Sequence, residues 1–118
     1  LSDDDIRNYY QTSYLTLLPL KNSLQPSGQS VALQSMSCGT PVIITNTEGF
    51  WEPDLFSNFE DIIFVDENNL ESWEKAIKNI ISNDEKYKSL SSNGHNKVLE
   101  NYTLEKFYMR LESILFNY

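Results

Sequence analysis

Apolar and polar positions follow two different periods along this chain of 118 residues. Three short apolar runs, at residues 14–20, 40–45 and 61–65, are rich in Leu, Ile and Val and have the length of strands. Runs that are apolar at nearly every position are typical of strands buried on both faces of a parallel sheet. The pattern therefore predicts three such strands.

Between and after these runs, apolar side chains recur at helical spacing. Ser2 and the three aspartates after it predict a helix start, because a serine cap and acidic residues both suit the positive end of a helix. Asn68 and Glu71 have the spacing of a capping box. The predicted helices span residues 2–11, 28–38 (with Gly39 just past the end), 70–81, 84–102 (interrupted at Gly94) and 103 onward (capped by Thr103).

The predicted order is αβαβ-β-ααα, with helices between the first strands as a parallel sheet requires. The fold class is α/β, with a helical C-terminal half. Three strands are few for a sheet buried on both faces, so we expect the chain to start partway through a larger domain. One sheet edge would then be covered by residues outside this chain or by self-association.

Composition excludes several classes of protein. The net charge of −8 argues against nucleic acid as a partner. No apolar stretch is long enough for a transmembrane segment, and the N-terminus lacks the features of a signal peptide. A single cysteine suits a reducing compartment, so we expect a cytoplasmic protein, its parent peripheral to the membrane at most. Familiar catalytic motifs are absent, and no metal ligand set is predicted. His95 is interpreted as a surface residue, and Cys38 is expected to pack in the core.

One segment, residues 25–42, carries information beyond packing. A turn of small residues, Ser27 and Gly28, follows a predicted strand and leads directly into a helix. The first N–H groups of a helix bind anions, and ligands of open α/β sheets bind at the carboxyl edge. The N–H groups concerned are those of Gln29, Ser30 and Val31. An ordinary connection between strand and helix explains the same residues without a ligand.

Residues 33–45, Leu-Gln-Ser-Met-Ser-Cys-Gly-Thr-Pro-Val-Ile-Ile-Thr, resemble the Leu-Glu-Ala-Met-Ala-Cys-Gly-Thr-Pro-Val segment of GT-B glycosyltransferases of family four, also called glycosyltransferases group one. The resemblance extends in order over residues 2–18, 48–52, 63–65, 69–77 and 101–105. It implies a partial Rossmann-like, three-layer α/β/α domain with a parallel sheet. Residues 1–118 would form the C-terminal part of the donor-binding domain, whose partner is an N-terminal acceptor-binding lobe.

The resemblance also implies roles for single residues. Members of the family carry two glutamates eight positions apart, at the places of Pro26 and Gln34 here. Gln34 would bind the ribose by hydrogen bonds without the charge, and Pro26 cannot replace its glutamate. Backbone N–H groups would hold the diphosphate, and Gln29 would contact the sugar. The predicted donor-binding residues are Ser27, Gly28, Gln29, Ser30, Val31 and Gln34. The family's paired Arg and Lys lie upstream of Leu1.

The implied activity is transfer of a sugar from a nucleotide-sugar to an acceptor, with retention of configuration and without a metal. No cofactor is expected beyond the nucleotide-sugar substrate, no catalytic residue is assigned, and the isolated chain is expected to be inactive. Two alternatives stay open. The first is a non-catalytic module that binds a nucleotide-sugar. The second is a protein-interaction module whose aromatic side chains form a docking surface; these are Tyr9, Tyr10, Trp51, Tyr108 and Tyr118.

Overall fold

The computed structural model of the chain describes residues 2–21, 28–47 and 55–116. Helices and strands follow one another in the predicted order. The elements are α1 (Asp3–Thr12), β1 (Thr16–Leu18), α2 (Gln29–Ser37), β2 (Val42–Thr45), β3 (Ile63–Val65), α3 (Leu70–Ile81), α4 (Asp84–Asn101) and α5 (Leu104–Phe116).

The three strands form one parallel sheet in the order β1-β2-β3. Leu18 pairs with Ile44, and Thr45 pairs with Val65. Because all strands run the same way, their last residues, Leu18, Thr45 and Val65, lie along one edge. The predicted parallel sheet is confirmed. Helices α2 and α3 both begin on the side of its carboxyl edge.

The central strand β2 separates two apolar clusters. Val42 and Ile44 pack with α2 and the end of α4 on one face of the sheet, in a cluster that includes Met36 and Val98. Ile43 faces the other way and packs with β3 and α3, in a cluster that includes Ile80. Side chains alternate along a strand, so two covered faces make three layers of helix, sheet and helix. The predicted three-layer α/β architecture is therefore present.

One prediction about β1 is wrong. The run at residues 14–20 was expected to be buried on both faces, but Leu17 is 44% exposed and Tyr14 is also exposed. The regular strand covers only Thr16–Leu18. The reason is position in the sheet: among the described strands, only β2 has a neighbour on each side.

The cap of α3 also differs from the prediction. The N-cap is Asn69, whose Oδ1 accepts a hydrogen bond from the Ser72 N–H at 2.8 Å. Asn68, which was expected to cap, instead donates through Nδ2 to the carbonyl oxygen of Leu20 at 2.5 Å. Two adjacent asparagines suit the same cap equally well in sequence, and the tertiary contact of Asn68 decides between them.

Helix α4 is not interrupted at Gly94, as was predicted from the low helix propensity of glycine. Gly94 is buried, and a Cβ on it would lie 2.9 Å from the carbonyl oxygen of Asp61 and 3.3 Å from Met36 Cε. The missing side chain lets α4 approach the turn before β3. The glycine therefore serves close packing and leaves the helix continuous.

The other predicted helix ends agree with the structure. Ser2 Oγ accepts from the Asp5 N–H at 3.2 Å, and the Asp5 side chain accepts from the Ser2 N–H in a full capping box. Gly39 follows the end of α2 with a φ of +80°, as expected of a glycine at that place. Helix α5 begins at Leu104, directly after Thr103. Within the described residues, no helix has the length and apolar character to cross a membrane.

Candidate functional site

The start of α2 provides the backbone groups that the sequence analysis singled out. Gly28 is the N-cap, and its carbonyl oxygen accepts the N–H of Ala32 at 2.9 Å. The first N–H groups of an α-helix, which here include those of Ser30 and Val31, have no acceptor within the helix itself. They also lie at the positive end of the helix dipole, which attracts anions.

Gly28 is held in a conformation that favours glycine. Its φ is +75°, in the left-handed region, and a Cβ on it would lie 2.9 Å from Cδ1 of Leu20. Leu20 follows β1 and packs against the apolar cluster beside α2. The first turn of α2 is thereby placed against the residue that leaves the carboxyl edge of β1.

A groove of about 510 Å³ runs beside this helix start, between α2 and the end of α4. Three of the predicted residues line it, namely Gln29, Ser30 and Gln34. Gln29 is only 5% exposed, so it contributes a small part of the wall. The groove is completed by Leu33, Ser37, Val98 and Tyr102. Most of its lining is apolar or uncharged, as is usual for sites that bind small molecules.

Gln34 lies on the exposed side of α2, where its carboxamide has two partners. Oε1 accepts from the Tyr10 hydroxyl at 3.3 Å, and Nε2 donates to Ser30 Oγ at 3.4 Å. Burial raises the pKa of the Tyr10 phenol above its ordinary value, and the nearby Cys38 adds to the shift. At neutral pH Tyr10 is therefore protonated and donates, which orients the carboxamide of Gln34.

Tyr10 is itself fixed by the backbone on the other side. Its carbonyl oxygen accepts a hydrogen bond from the hydroxyl of the buried Thr40, which follows α2. This bond connects α1 to the end of α2. The orientation of Gln34 thus depends on two helices and on the turn between α2 and β2.

A smaller groove of about 230 Å³ lies on the other side of Gln34. It is lined by Ile6, Arg7, Tyr10, Gln34, Ser37 and Cys38. Arg7 is the one charged residue among these, and α2 itself carries no charged side chain. Positive potential near Gln34 therefore comes from the start of α2 and from the Arg7 guanidinium.

The remaining predicted site residues fall into two groups. Gly28 and Val31 belong to the start of α2 but do not line the larger groove. Ser27 lies outside the described residues, as do Pro26, Trp51 and Tyr118. Their predicted roles stay predictions.

Sequence reasoning missed the part of the groove that α4 supplies. Val98 and Tyr102 are four positions apart on one side of the end of α4, which is a pattern that many packed helices share. Tyr102 stacks on Phe56, with ring centroids 6.2 Å apart. Only the packing of α4 on α2 places these two residues opposite Gln34, so no local signal identifies them.

His95, predicted to lie at the surface, and Cys38, predicted to pack in the core, are both half-buried. The His95 Nδ1 lies 3.0 Å from the carbonyl oxygen of Ser37, which links α4 to the end of α2. Cys38 is half-buried at the C-cap of α2. Within the described ranges, no three His, Cys, Asp or Glu side chains are grouped so that they could hold a metal ion.

Tyr9 and Tyr108 are exposed, as the docking alternative requires. Tyr10, from the same predicted set, instead donates its hydroxyl hydrogen bond to Gln34. The aromatic residues that can be described are therefore divided between the surface and the site.

Several solved structures share this fold. Sucrose-phosphate synthase from Thermosynechococcus elongatus superposes with a TM-score of 0.79 and 22% identity, over 97% of this chain and 27% of the other. A glycosyltransferase from Rickettsia africae gives a TM-score of 0.70 and 22% identity, over 99% of this chain and 31% of the other. The C-terminal domain of a glycosyl transferase group 1 family protein from Francisella tularensis gives 0.72 and 19%, over 87% of this chain and 50% of the other.

At these identities the superpositions establish the fold, and the chain spans between 27% and 50% of the three proteins. A comparison with curated protein sequences gives no match. The family comparison is more specific: the profile described as glycosyl transferases group 1 matches residues 1–97. That match covers most of the chain, including all three strands, the start of α2 and Gln34. The chain therefore belongs to the glycosyl transferases group 1 family.

Proposed function

We propose that this chain forms the donor-binding part of a glycosyltransferase and binds a nucleotide-sugar at the start of α2. The observation that carries the proposal is the helix start itself: Gly28, in the left-handed region, presents the first N–H groups of α2 next to a groove lined by Gln34. Membership of the glycosyl transferases group 1 family supports the choice of ligand.

Within this proposal, each predicted residue has one task. The N–H groups of Gly28, Ser30 and Val31 hold the diphosphate by hydrogen bonds assisted by the helix dipole. Gln34 binds the ribose diol, for which an oriented carboxamide offers one acceptor and one donor. Gln29 contacts the sugar through the small part of its side chain that lines the groove.

The proposed reaction breaks the bond between the sugar and the diphosphate and forms a bond from the same sugar carbon to an acceptor. The leaving diphosphate carries the developing negative charge, which N–H groups fixed at a helix start stabilise without reorganisation. We assign this chain no general acid or base. Retention of configuration, independence of a metal and absence of a further cofactor belong to the proposal through the family resemblance.

An acceptor-binding lobe is the proposed partner. Exposed apolar side chains on two elements support a covering surface: Leu17 on β1, and Ile114 and Leu115 on α5. A cytoplasmic setting, with any membrane contact made by that lobe, completes the proposal.

Replacing Gln34 tests the proposed ribose contact. Gln34→Ala should weaken the binding of the preferred nucleoside diphosphate about fivefold, because about one net hydrogen bond is lost. Gln11→Ala is the matched control, since Gln11 is an exposed glutamine of α1 that does not line either groove. Calorimetry on both variants measures the dissociation constants. Equal affinities in the two variants would remove Gln34 from the site.

Binding without transfer is the second candidate function. It is favoured by Pro26 and Gln34, which stand where the resemblance places glutamates. Gln34→Glu in the full-length protein separates the two, with sugar transfer to acceptor as the readout. A working transferase should show measurable transfer that this substitution alters, whereas a non-catalytic binding module should show none before or after it.

A further inference from the structure

Asn68 lies where the three strands end, and its side chain joins segments that are far apart in sequence. Its Nδ2 donates to the carbonyl oxygen of Leu20 at 2.5 Å. Its Oδ1 accepts from the hydroxyl of Thr45 at 2.8 Å and from the indole Nε1 of Trp73 at 3.0 Å. The amide thus connects the residues after β1, the end of β2 and helix α3.

These bonds fix the orientation of the amide. Two donors, from Thr45 and Trp73, point at Oδ1, so the opposite rotamer would place Nδ2 hydrogens against other hydrogens. Leu20 is held twice, since its N–H also donates to Thr45 Oγ1 at 2.8 Å. Thr45 is 4% exposed, so water competes little for its hydroxyl, whereas the bond from Asn68 to the Leu20 carbonyl lies at the surface.

The consequence reaches the proposed site through Leu20. Its side chain lies over Gly28, close enough that a Cβ on that glycine would be 2.9 Å from Cδ1. A displacement of Leu20 would remove the surface against which the N-cap of α2 is packed. The hydrogen bonds of Asn68 therefore help to hold Leu20 against the first turn of α2.

We propose that Asn68 is a positioning residue for nucleotide binding: its amide holds Leu20, and Leu20 holds Gly28 and the N–H groups at the start of α2. The identity of the ligand rests on the proposed function. The contacts by which Asn68 holds Leu20, and Leu20 holds Gly28, involve residues of this chain alone. Asn68 does not line the groove beside α2, so its proposed effect on binding acts through Leu20.

Asn68→Asp tests the proposal with almost no change of shape. The carboxylate keeps the acceptor for Thr45 and Trp73 but replaces the donor facing the Leu20 carbonyl by an oxygen, and two oxygens at 2.5 Å repel. Amide hydrogen exchange, followed by NMR on this chain without ligand, should accelerate about tenfold at Leu20, whose N–H is bonded to Thr45, and at Ala32, whose N–H is bonded to the Gly28 carbonyl oxygen. Exchange at Ile44 and Ile63 in the core should change much less.

Asn69→Asp is the matched control, because it adds the same charge at the next position. Asn69 Oδ1 caps α3, and a carboxylate retains that acceptor. The donor that is lost serves an exposed bond to Glu67 Oε2, which does not involve Leu20. Exchange at Leu20 and Ala32 should stay as in the original chain. Titration with UDP, GDP and ADP should then show the affinity for the preferred diphosphate about three- to tenfold weaker in the first variant than in the control.

Variants of Thr45 provide a second route if Asn68→Asp does not fold. Thr45→Val removes the hydroxyl between Leu20 and Asn68 at nearly constant volume and should also accelerate exchange at Ala32. Thr45→Ser keeps the hydroxyl and should restore the original exchange. This rescue would not occur if filling space were the only task of residue 45.

Each outcome decides the inference. Unchanged exchange at Leu20 and Ala32 overturns it, as does equal acceleration throughout the core, which would show a general loss of stability. Altered exchange with an affinity equal to that of the control overturns the positioning role. If neither the original chain nor a longer chain that includes upstream residues binds any of the diphosphates, the proposed function fails separately, and the exchange data alone decide whether Asn68 holds Gly28.

Discussion

At the scale of single residues, helix α2 is flanked by two glycines that both have a left-handed φ but lie in different surroundings. Gly28 begins α2 with a φ of +75°, and Gly39 follows it with a φ of +80°. A Cβ on Gly28 would press on Leu20 at 2.9 Å, whereas a Cβ on Gly39 would make an ordinary contact of 3.6 Å with Ser91 Oγ. Substituting each glycine in turn therefore distinguishes the cost of backbone strain from an effect on the site.

Gly28→Ala and Gly39→Ala should both lower the free energy of unfolding by about 1–2 kcal/mol, the usual cost of the left-handed region for a residue with a Cβ. Gly28→Ala should lose about a further 1 kcal/mol, because Leu20 must leave its packed position. Only Gly28→Ala should also weaken nucleoside diphosphate binding. Urea denaturation and calorimetry on both variants measure these changes, and equal affinities would contradict the role of Gly28.

Local sequence signals predict the roles of some of these residues and not of others. Ser2, Gly28 and Gly39 were placed correctly because their roles depend on neighbours within four positions. Asn68 and Asn69 could not be distinguished, because the partner that occupies Asn68 is Leu20, 48 positions away. The groove residues Val98 and Tyr102 escaped prediction for the same reason.

At the scale of elements, α4 shows how packing overrides propensity. Its Gly94 lies where the helix approaches the carbonyl oxygen of Asp61. Asn93 Nδ2 donates to the neighbouring Glu60 carbonyl at 3.1 Å, and Lys97 Nζ lies 3.9 Å from Asp61 Oδ2. This side of α4 therefore holds the turn that leads into β3.

Gly94→Ala should be destabilising, against the usual preference for alanine within a helix. The preference is worth about 1 kcal/mol, whereas a Cβ at 2.9 Å from a backbone oxygen forces α4 away from the turn and costs about 1–3 kcal/mol. Ser92→Ala, an exposed change on the same helix, is the control and should change stability by less than about 0.5 kcal/mol. Urea denaturation measures both. A Gly94→Ala variant as stable as the original chain would contradict the close approach.

The sequence predicted the identity and order of all the described elements, because each carries its own period of apolar side chains. It predicted lengths less well. β1 is shorter and more exposed than its apolar run indicated, since exposure depends on which strands lie beside it. An apolar sequence alone does not distinguish an edge strand from a central one.

At the scale of the whole molecule, the fold is shown, and the nucleotide-sugar ligand is proposed. The family match and the superpositions agree on a Rossmann-like α/β unit. The groove follows α2 from Gln29 to Ser37, and its Gln29 end lies at the start of the helix, on the side of the sheet where parallel sheets bind ligands. The sequence indicated the binding element through its resemblance to the family. It could not indicate the opposite wall of the groove, which only the assembled layers create.

The most direct test of the central claim is an NMR titration of the backbone amides of this chain with UDP, GDP, ADP and their glucose or mannose conjugates. We expect that the ligands carrying one of these bases, at millimolar concentration or below, shift a small set of amide signals more than those of the rest of the chain. These are the signals of Gly28, Gln29, Ser30, Val31 and Gln34. Signals at these residues that stay unchanged with every ligand, both here and in a longer chain that includes upstream residues, would contradict it.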